Sequence, residues 1–179
     1  MKTDEDFTEL DDTQFAYGVG AEAHFSCSVT YQNRMLVFGG ARTSHMFSEV
    51  LGCGLDVIGR APVNLFDVAC GDYTIAGQNV VMLCFPVVIR ASWTRFCWSF
   101  NGTDFILEQQ ARYDHESVSL GNLNGKPVAV SGFGGGTQVE ILNESWESAA
   151  PLPFQTTGIF YFSTLSINNI MYLFGKTVF

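Results

Sequence analysis

The chain is short of charge, and above all of positive charge. Among 179 residues only nine are lysine or arginine, against eighteen aspartate and glutamate, for a formal net charge of −9. A protein that neutralises nucleic-acid phosphates needs a basic face, and this composition does not supply one. Long apolar runs are also missing. The longest, Val80 to Ile89, has ten residues and contains a proline, whereas a membrane-spanning helix needs roughly 20 apolar residues. The first residues are acidic, so no apolar secretory leader is read there. A cytoplasmic chain is expected if this start is genuine, and an extracellular one if the N-terminus is truncated. Cysteines number five and no two form a CxxC, so zinc-ligand spacing is absent. His24, His45 and His115 share no HxH or HxxxH spacing. No metal, cofactor or catalytic residue is therefore assigned.

Glycine and aromatic residues are what the chain has in quantity. Eighteen glycines and sixteen phenylalanines, at 47% hydrophobic composition, point to strands joined by tight turns. No window shows a sustained helical period. Instead, one pattern recurs. QNRMLVFGG begins at Gln32, QNVVMLCFP at Gln78, NGKPVAVSG at Asn124 and NNIMYLFGK at Asn168, at spacings of 46, 46 and 44 residues. Each copy opens on a polar or glycine dipeptide, continues as an apolar run and closes on small or turn-forming residues. Alternating stretches precede the copies. In FSCSVTY, Phe25, Cys27, Val29 and Tyr31 share one face, the mark of a strand with one side turned inward. Strand, turn and strand make a hairpin. Two further extended stretches follow each complete hairpin, such as TQVEIL and SWESAAPLPF after the third. The unit is thus four strands in about 45 residues, the sequence mark of a β-propeller blade.

The double glycine Gly39-Gly40, the strand VEIL, then Trp146 and the exit APLPF with Pro151 resemble the kelch repeat. The third unit is nearest to that pattern, and the resemblance covers roughly residues 24–179. Gly132 and Gly175 keep one glycine of the pair, and Phe85-Pro86 keeps neither. The resemblance implies an all-β kelch-type propeller with units near 24–66, 67–116, 117–157 and 158–179. Residues 1–23 form an acidic segment in which Asp6 to Leu10 is a candidate strand. Two arrangements stay open: an arc of about three and a half four-stranded blades, whose open edges invite self-association, or a small closed ring of four.

SGFGGG, Ser131 to Gly136, reads as a turn and not as a phosphate loop, because a strand pattern follows it and no GK[ST] is present. The resemblance implies a rigid, non-catalytic scaffold that binds a protein partner through inter-strand loops. The loops following the second strands are the candidates, with Arg42 and His45 in the first, Arg90 and Trp93 in the second and Phe133 in the third. The rival is a carbohydrate-binding propeller or an enzyme of the oxidase or sialidase kind. Cys84 and Cys97 fall on neighbouring antiparallel strands, where a disulfide is feasible. Cys53 and Cys70 are a second candidate pair, which leaves Cys27 free; the fully reduced chain is the alternative.

Overall fold

The computed structural model describes residues 26–42, 45–46, 49–51, 57–86, 95–115, 118–132, 136–153 and 162–175. The acidic N-terminal segment with its candidate strand, His24, Cys53, Arg90, Trp93 and Phe133 lie outside them. All described elements are strands or turns, without a helix. In the first sheet β1 (Cys27–Tyr31), β2 (Arg34–Phe38), β5 (Glu49–Leu51) and β6 (Val57–Arg60) pair in that order. A small hairpin of β3 (Ala41–Arg42) and β4 (His45–Met46) interrupts the β2–β5 connection. The second sheet is β7 (Ala69–Ile75), β8 (Gln78–Cys84), β9 (Cys97–Phe100) and β10 (Phe105–Leu107); the third is β11 (Leu120–Leu123), β12 (Lys126–Val130), β13 (Val139–Leu142) and β14 (Trp146–Ser148). The last is the hairpin β15 (Phe162–Ile167) and β16 (Ile170–Gly175). Every pairing is antiparallel between neighbours, so each sheet is a meander. The first strands β1, β7, β11 and β15 pack side by side in chain order. Among the described residues no strand pairing joins the last sheet to the first.

Two sets of left-handed residues explain why the sequence repeats. The first set turns the hairpins. Gln32 and Asn33 have φ of 49° and 60°, Asn124 and Gly125 54° and 80°, and Asn168 and Asn169 50° and 60°. Positive φ at both central residues is the type I′ geometry, whose twist matches that of the flanking strands. The second hairpin departs from the sequence expectation. Its turn is Ala76-Gly77, with φ of 49° and 78°, while Gln78 and Asn79 already belong to β8. The Gln-Asn dipeptide repeats in sequence, but Gly77 is the residue that fits the left-handed position at no steric cost.

The second set ends the second strands. Gly39, Phe85 and Ser131 have φ of 61°, 61° and 58°, and Gly40 and Gly132 follow at 106° and 101°. One backbone bend thus recurs on three different residues. At Gly39 there is no room for another side chain, since a Cβ would stand 2.1 Å from the Leu65 carbonyl oxygen. Phe85 is held in the same conformation by its surroundings. It is fully buried, its amide donates to the Phe96 carbonyl at 2.8 Å, and its ring packs on His115 and Trp146.

The second sheet is sandwiched. Val80 through Cys84 and all of β9 are buried, which is why this part of the sequence reads as a continuous apolar run instead of alternating. Val81 and Leu83 face one layer with Tyr31, Leu36, Phe38 and Phe100. Met82 and Cys84 face the other, with Tyr73, Leu120, Ala129, Leu142 and Trp146. Two disulfides are present, one within the second sheet and one between the first and second sheets. Cys84 and Cys97 are direct cross-strand partners with Cα atoms 4.0 Å apart. Cys70 is bonded to Cys27, Cα atoms 6.0 Å apart, and not to Cys53. The reason is the packing of first strands: Cys27 lies on the face of β1 turned to β7, and Cys70 on the face of β7 turned back.

Candidate interaction loops and their buried anchor

A meander sends its connections alternately to its two ends. The I′ turns and the β9–β10 and β13–β14 turns share one end. The connections that leave β2, β8 and β12 share the other, together with the chain segments that pass from sheet to sheet. Arg42 and His45 belong to this second end, where they are paired across the β3–β4 hairpin. Phe133 belongs to the connection that leaves β12, and the described residues on both sides of it are firmly tied. The Ser131 amide donates to the Gln138 carbonyl at 2.7 Å, and Ser131 Oγ donates to the Gly136 carbonyl at 2.5 Å.

Beneath this connection lies a buried polar cluster. Glu140 of β13 and His115, from the segment between β10 and β11, are both fully buried, with His115 Nε2 2.9 Å from Glu140 Oε2. His115 Nδ1 is 2.5 Å from the Ser131 carbonyl oxygen. A carbonyl only accepts, so Nδ1 carries a hydrogen and donates it. The amides of Arg112 and Tyr113 donate to the two Glu140 oxygens at 2.9 and 3.1 Å. Donors on both oxygens favour the carboxylate, and Nε2 then donates to it as well. Burial acts to raise the Glu140 carboxyl. The hydrogen bonds from His115, Arg112 and Tyr113, with the His115 charge, outweigh burial and hold it below the usual carboxylate range. One carboxylate thus ties three pieces of chain: β13, the 112–115 segment and, through His115, the strand end at Ser131. The sealed pair has no opening to a substrate. Its chemistry is positional.

The opposite end holds two clefts. A groove of about 520 Å³ runs between the second and third sheets, lined by residues including Thr74, Lys126, Pro127, Asn143 and Glu147. Lys126 Nζ donates to Asn143 Oδ1, and Asn143 Nδ2 to Glu147 Oε2 at 2.6 Å, so its polar groups largely satisfy one another. A smaller cleft of about 240 Å³ lies beside it, at Tyr31, Asp72, Asn79 and Asn122. Tyr31 bridges sheets here, its hydroxyl 2.9 Å from both the Asn79 and the Asn101 carbonyl oxygens and sharing its one hydrogen between them.

Of the repeat marks, Trp146 is buried in the third-sheet layer, while Pro151 is exposed. Gly132 sits in the left-handed bend, and Gly175 ends β16. Arg90 and Trp93 lie outside the described residues, so the structure brings none of the five candidate loop residues together except Arg42 and His45. Sequence reasoning missed Glu140 and His115. The signal available was a charged residue on the inward face of VEIL, in register with Leu142. Among the described residues no three His, Cys, Asp or Glu side chains cluster as a metal site would require, and no helix is long and apolar enough to cross a membrane. Compared with known proteins, the chain matches no family model and no curated protein.

Proposed function

We propose that the chain is a non-catalytic scaffold of the kelch-like propeller kind, which binds a protein partner through the loops that follow its second strands. The observation that carries this reading is the buried Glu140–His115–Ser131 cluster, which fixes the base of the third loop from below. Loops mounted on rigid supports lose less freedom on binding, so more of each contact appears as affinity. The bend shared by Gly39, Phe85 and Ser131 launches all three connections from the same backbone geometry. Arg42, His45, Arg90 and Trp93 supply the guanidinium and aromatic groups that tend to dominate binding energy at interfaces.

The test compares two sets of variants in affinity capture with quantitative mass spectrometry. Partners retained by the wild-type chain should be lost from Arg42→Ala/His45→Ala and from Arg90→Ala/Trp93→Ala. They should be kept by Lys126→Ala at the opposite end. Equal capture by all variants would overturn the loop assignment. Bound copper, or saturable binding on a glycan array, would put the oxidase or carbohydrate reading in its place.

A further inference from the structure

The last hairpin carries its apolar residues on the side facing away from the third sheet. Leu165, Ile167, Ile170, Tyr172 and Phe174 are 50%, 48%, 56%, 44% and 54% exposed. They are one face: Leu165 pairs with Tyr172, Ile167 with Ile170, and Phe174 lies opposite Ser163. The other face, which carries Thr164, Ser166, Met171 and Leu173, is docked. Thr164 Oγ1 donates to the Leu120 carbonyl at 2.9 Å, Ser166 Oγ accepts from the Asn122 amide at 3.1 Å, and Met171 lies over Gly121, where a Cβ would meet its Sδ.

Counting outward from each turn, the first hairpin repeats this chemistry pair by pair. Thr30–Met35 stands where Ser166–Met171 stands, Ser28–Val37 where Thr164–Leu173 stands, Val29–Leu36 where Leu165–Tyr172 stands, and Cys27–Phe38 where Ser163–Phe174 stands. The burial is opposite. In the first hairpin the apolar side, with Leu36 and Phe38, is buried under the second sheet. Its hydroxyl side, with Ser26, Ser28 and Thr30, is exposed, and Met35 beside them is 49% exposed. The chain therefore bears two different faces in the open. One is the apolar half of an inter-sheet junction and the other is the hydroxyl half.

We infer that the two faces are the halves of a head-to-tail junction between copies of this chain, in which the β1–β2 hydroxyl face of one copy covers the β15–β16 apolar face of the next. The β11–β15 junction is the template. Ser28 Oγ of the covering copy donates to the Thr164 carbonyl, Thr30 Oγ1 accepts from the Ser166 amide, and Met35 lies near Leu165. Leu165 is larger than Gly121, which holds that place in the third sheet. Val29 holds it in the first, where the second sheet packs over it, so an aliphatic residue is compatible with the junction. The interface is heterologous, so association continues until a ring closes or a chain of copies grows. This inference does not depend on the loop-binding reading.

Analytical ultracentrifugation of the full chain tests it, using one variant per face. Wild type should rise above the mass of one chain as concentration increases through the micromolar range. Leu165→Glu/Tyr172→Lys destroys the apolar face, Ser28→Arg/Thr30→Arg the hydroxyl face, and each alone should remain a single chain. An equal mixture of the two variants retains one intact face of each kind and should form a species of two chains and no larger. Wild type that stays a single chain at high micromolar concentration overturns the inference. So does association unaffected by the hydroxyl-face substitutions, which would mark unspecific adhesion of the apolar patch, or a mixture that does not pair. Circular dichroism matching wild type verifies that the substituted surfaces leave the fold intact.

Discussion

Replacing Glu140 removes the anchor beneath the third loop, and the size of the effect follows from what the carboxylate holds. In Glu140→Leu the volume is roughly kept, but His115 Nε2 and the Arg112 and Tyr113 amides lose their acceptor. Breaking a buried ion pair from one side costs about 3–5 kcal/mol. The two amides add little, since Arg112 is exposed and Tyr113 half-buried, where water can replace the lost partner. A loss of about 4 kcal/mol is expected, a large part of the 5–15 kcal/mol that holds a typical domain together. Glu140→Gln keeps one acceptor oxygen and places an NH₂ either against the Arg112 amide or against both the Tyr113 amide and the ring, so about 1–2 kcal/mol is expected. The pH dependence separates the two terms. A carboxyl whose folded pKa is depressed contributes stability above its unfolded value, about 4.3 for glutamate, and loses it as pH falls through the folded value. Urea denaturation between pH 5.5 and 3 should therefore show the gap between wild type and Glu140→Gln closing as acidity increases. If Glu140→Leu does not fold, the Glu140→Gln series still reports. A Glu140→Leu loss below about 1 kcal/mol, or parallel pH profiles for wild type and Glu140→Gln, would refute the anchor.

Further expectations follow from other sites. Gly39→Ala sets a Cβ against the Leu65 backbone in a left-handed conformation, so it should cost well over 2 kcal/mol, whereas Gly125→Ala, with open space around it, should cost about 1 kcal/mol; thermal denaturation of the pair measures the difference. Tyr73→Phe deletes a buried hydrogen bond of 2.9 Å to the Gly121 carbonyl between the second and third sheets and should lose about 1–2 kcal/mol. Burial first, and Asp72 second, push the same phenol far above its ordinary value, so at pH 11 wild type and Tyr73→Phe should show the same phenolate absorbance. Two disulfides leave one of the five cysteines, Cys53, outside a bridge, so alkylation of the denatured, unreduced chain should label one site; five labelled sites would mean the chain is fully reduced.

The strand pattern was legible because it is local. Alternation in FSCSVTY and the Asn-Gly dipeptide at 124–125 carry their own physical reasons, and β1, β11 and β12 lie where those signals put them. The turn at Ala76-Gly77 was misread because Gln78-Asn79 copies Gln32-Asn33 in letters but not in backbone conformation. Cys27 was left free because its partner sits on the neighbouring sheet, a relation that strand-by-strand reading does not contain. Glu140 was missed for a similar reason. A carboxylate on an inward face is intelligible only with the imidazole and amides that reach it from 25 to 28 residues earlier in the chain.

The bond from Cys27 to Cys70 also gives the chain a mechanical character. It joins the first strands of adjacent sheets across 43 positions of sequence. Tension applied at the chain ends therefore passes through the sulfurs and bypasses β2, β5 and β6, which hang as a slack side loop. In an optical trap, reduction should release the hidden length of those 43 residues, roughly 150 Å when extended. Until then most of the first sheet bears no load, and force that opens the molecule must begin elsewhere.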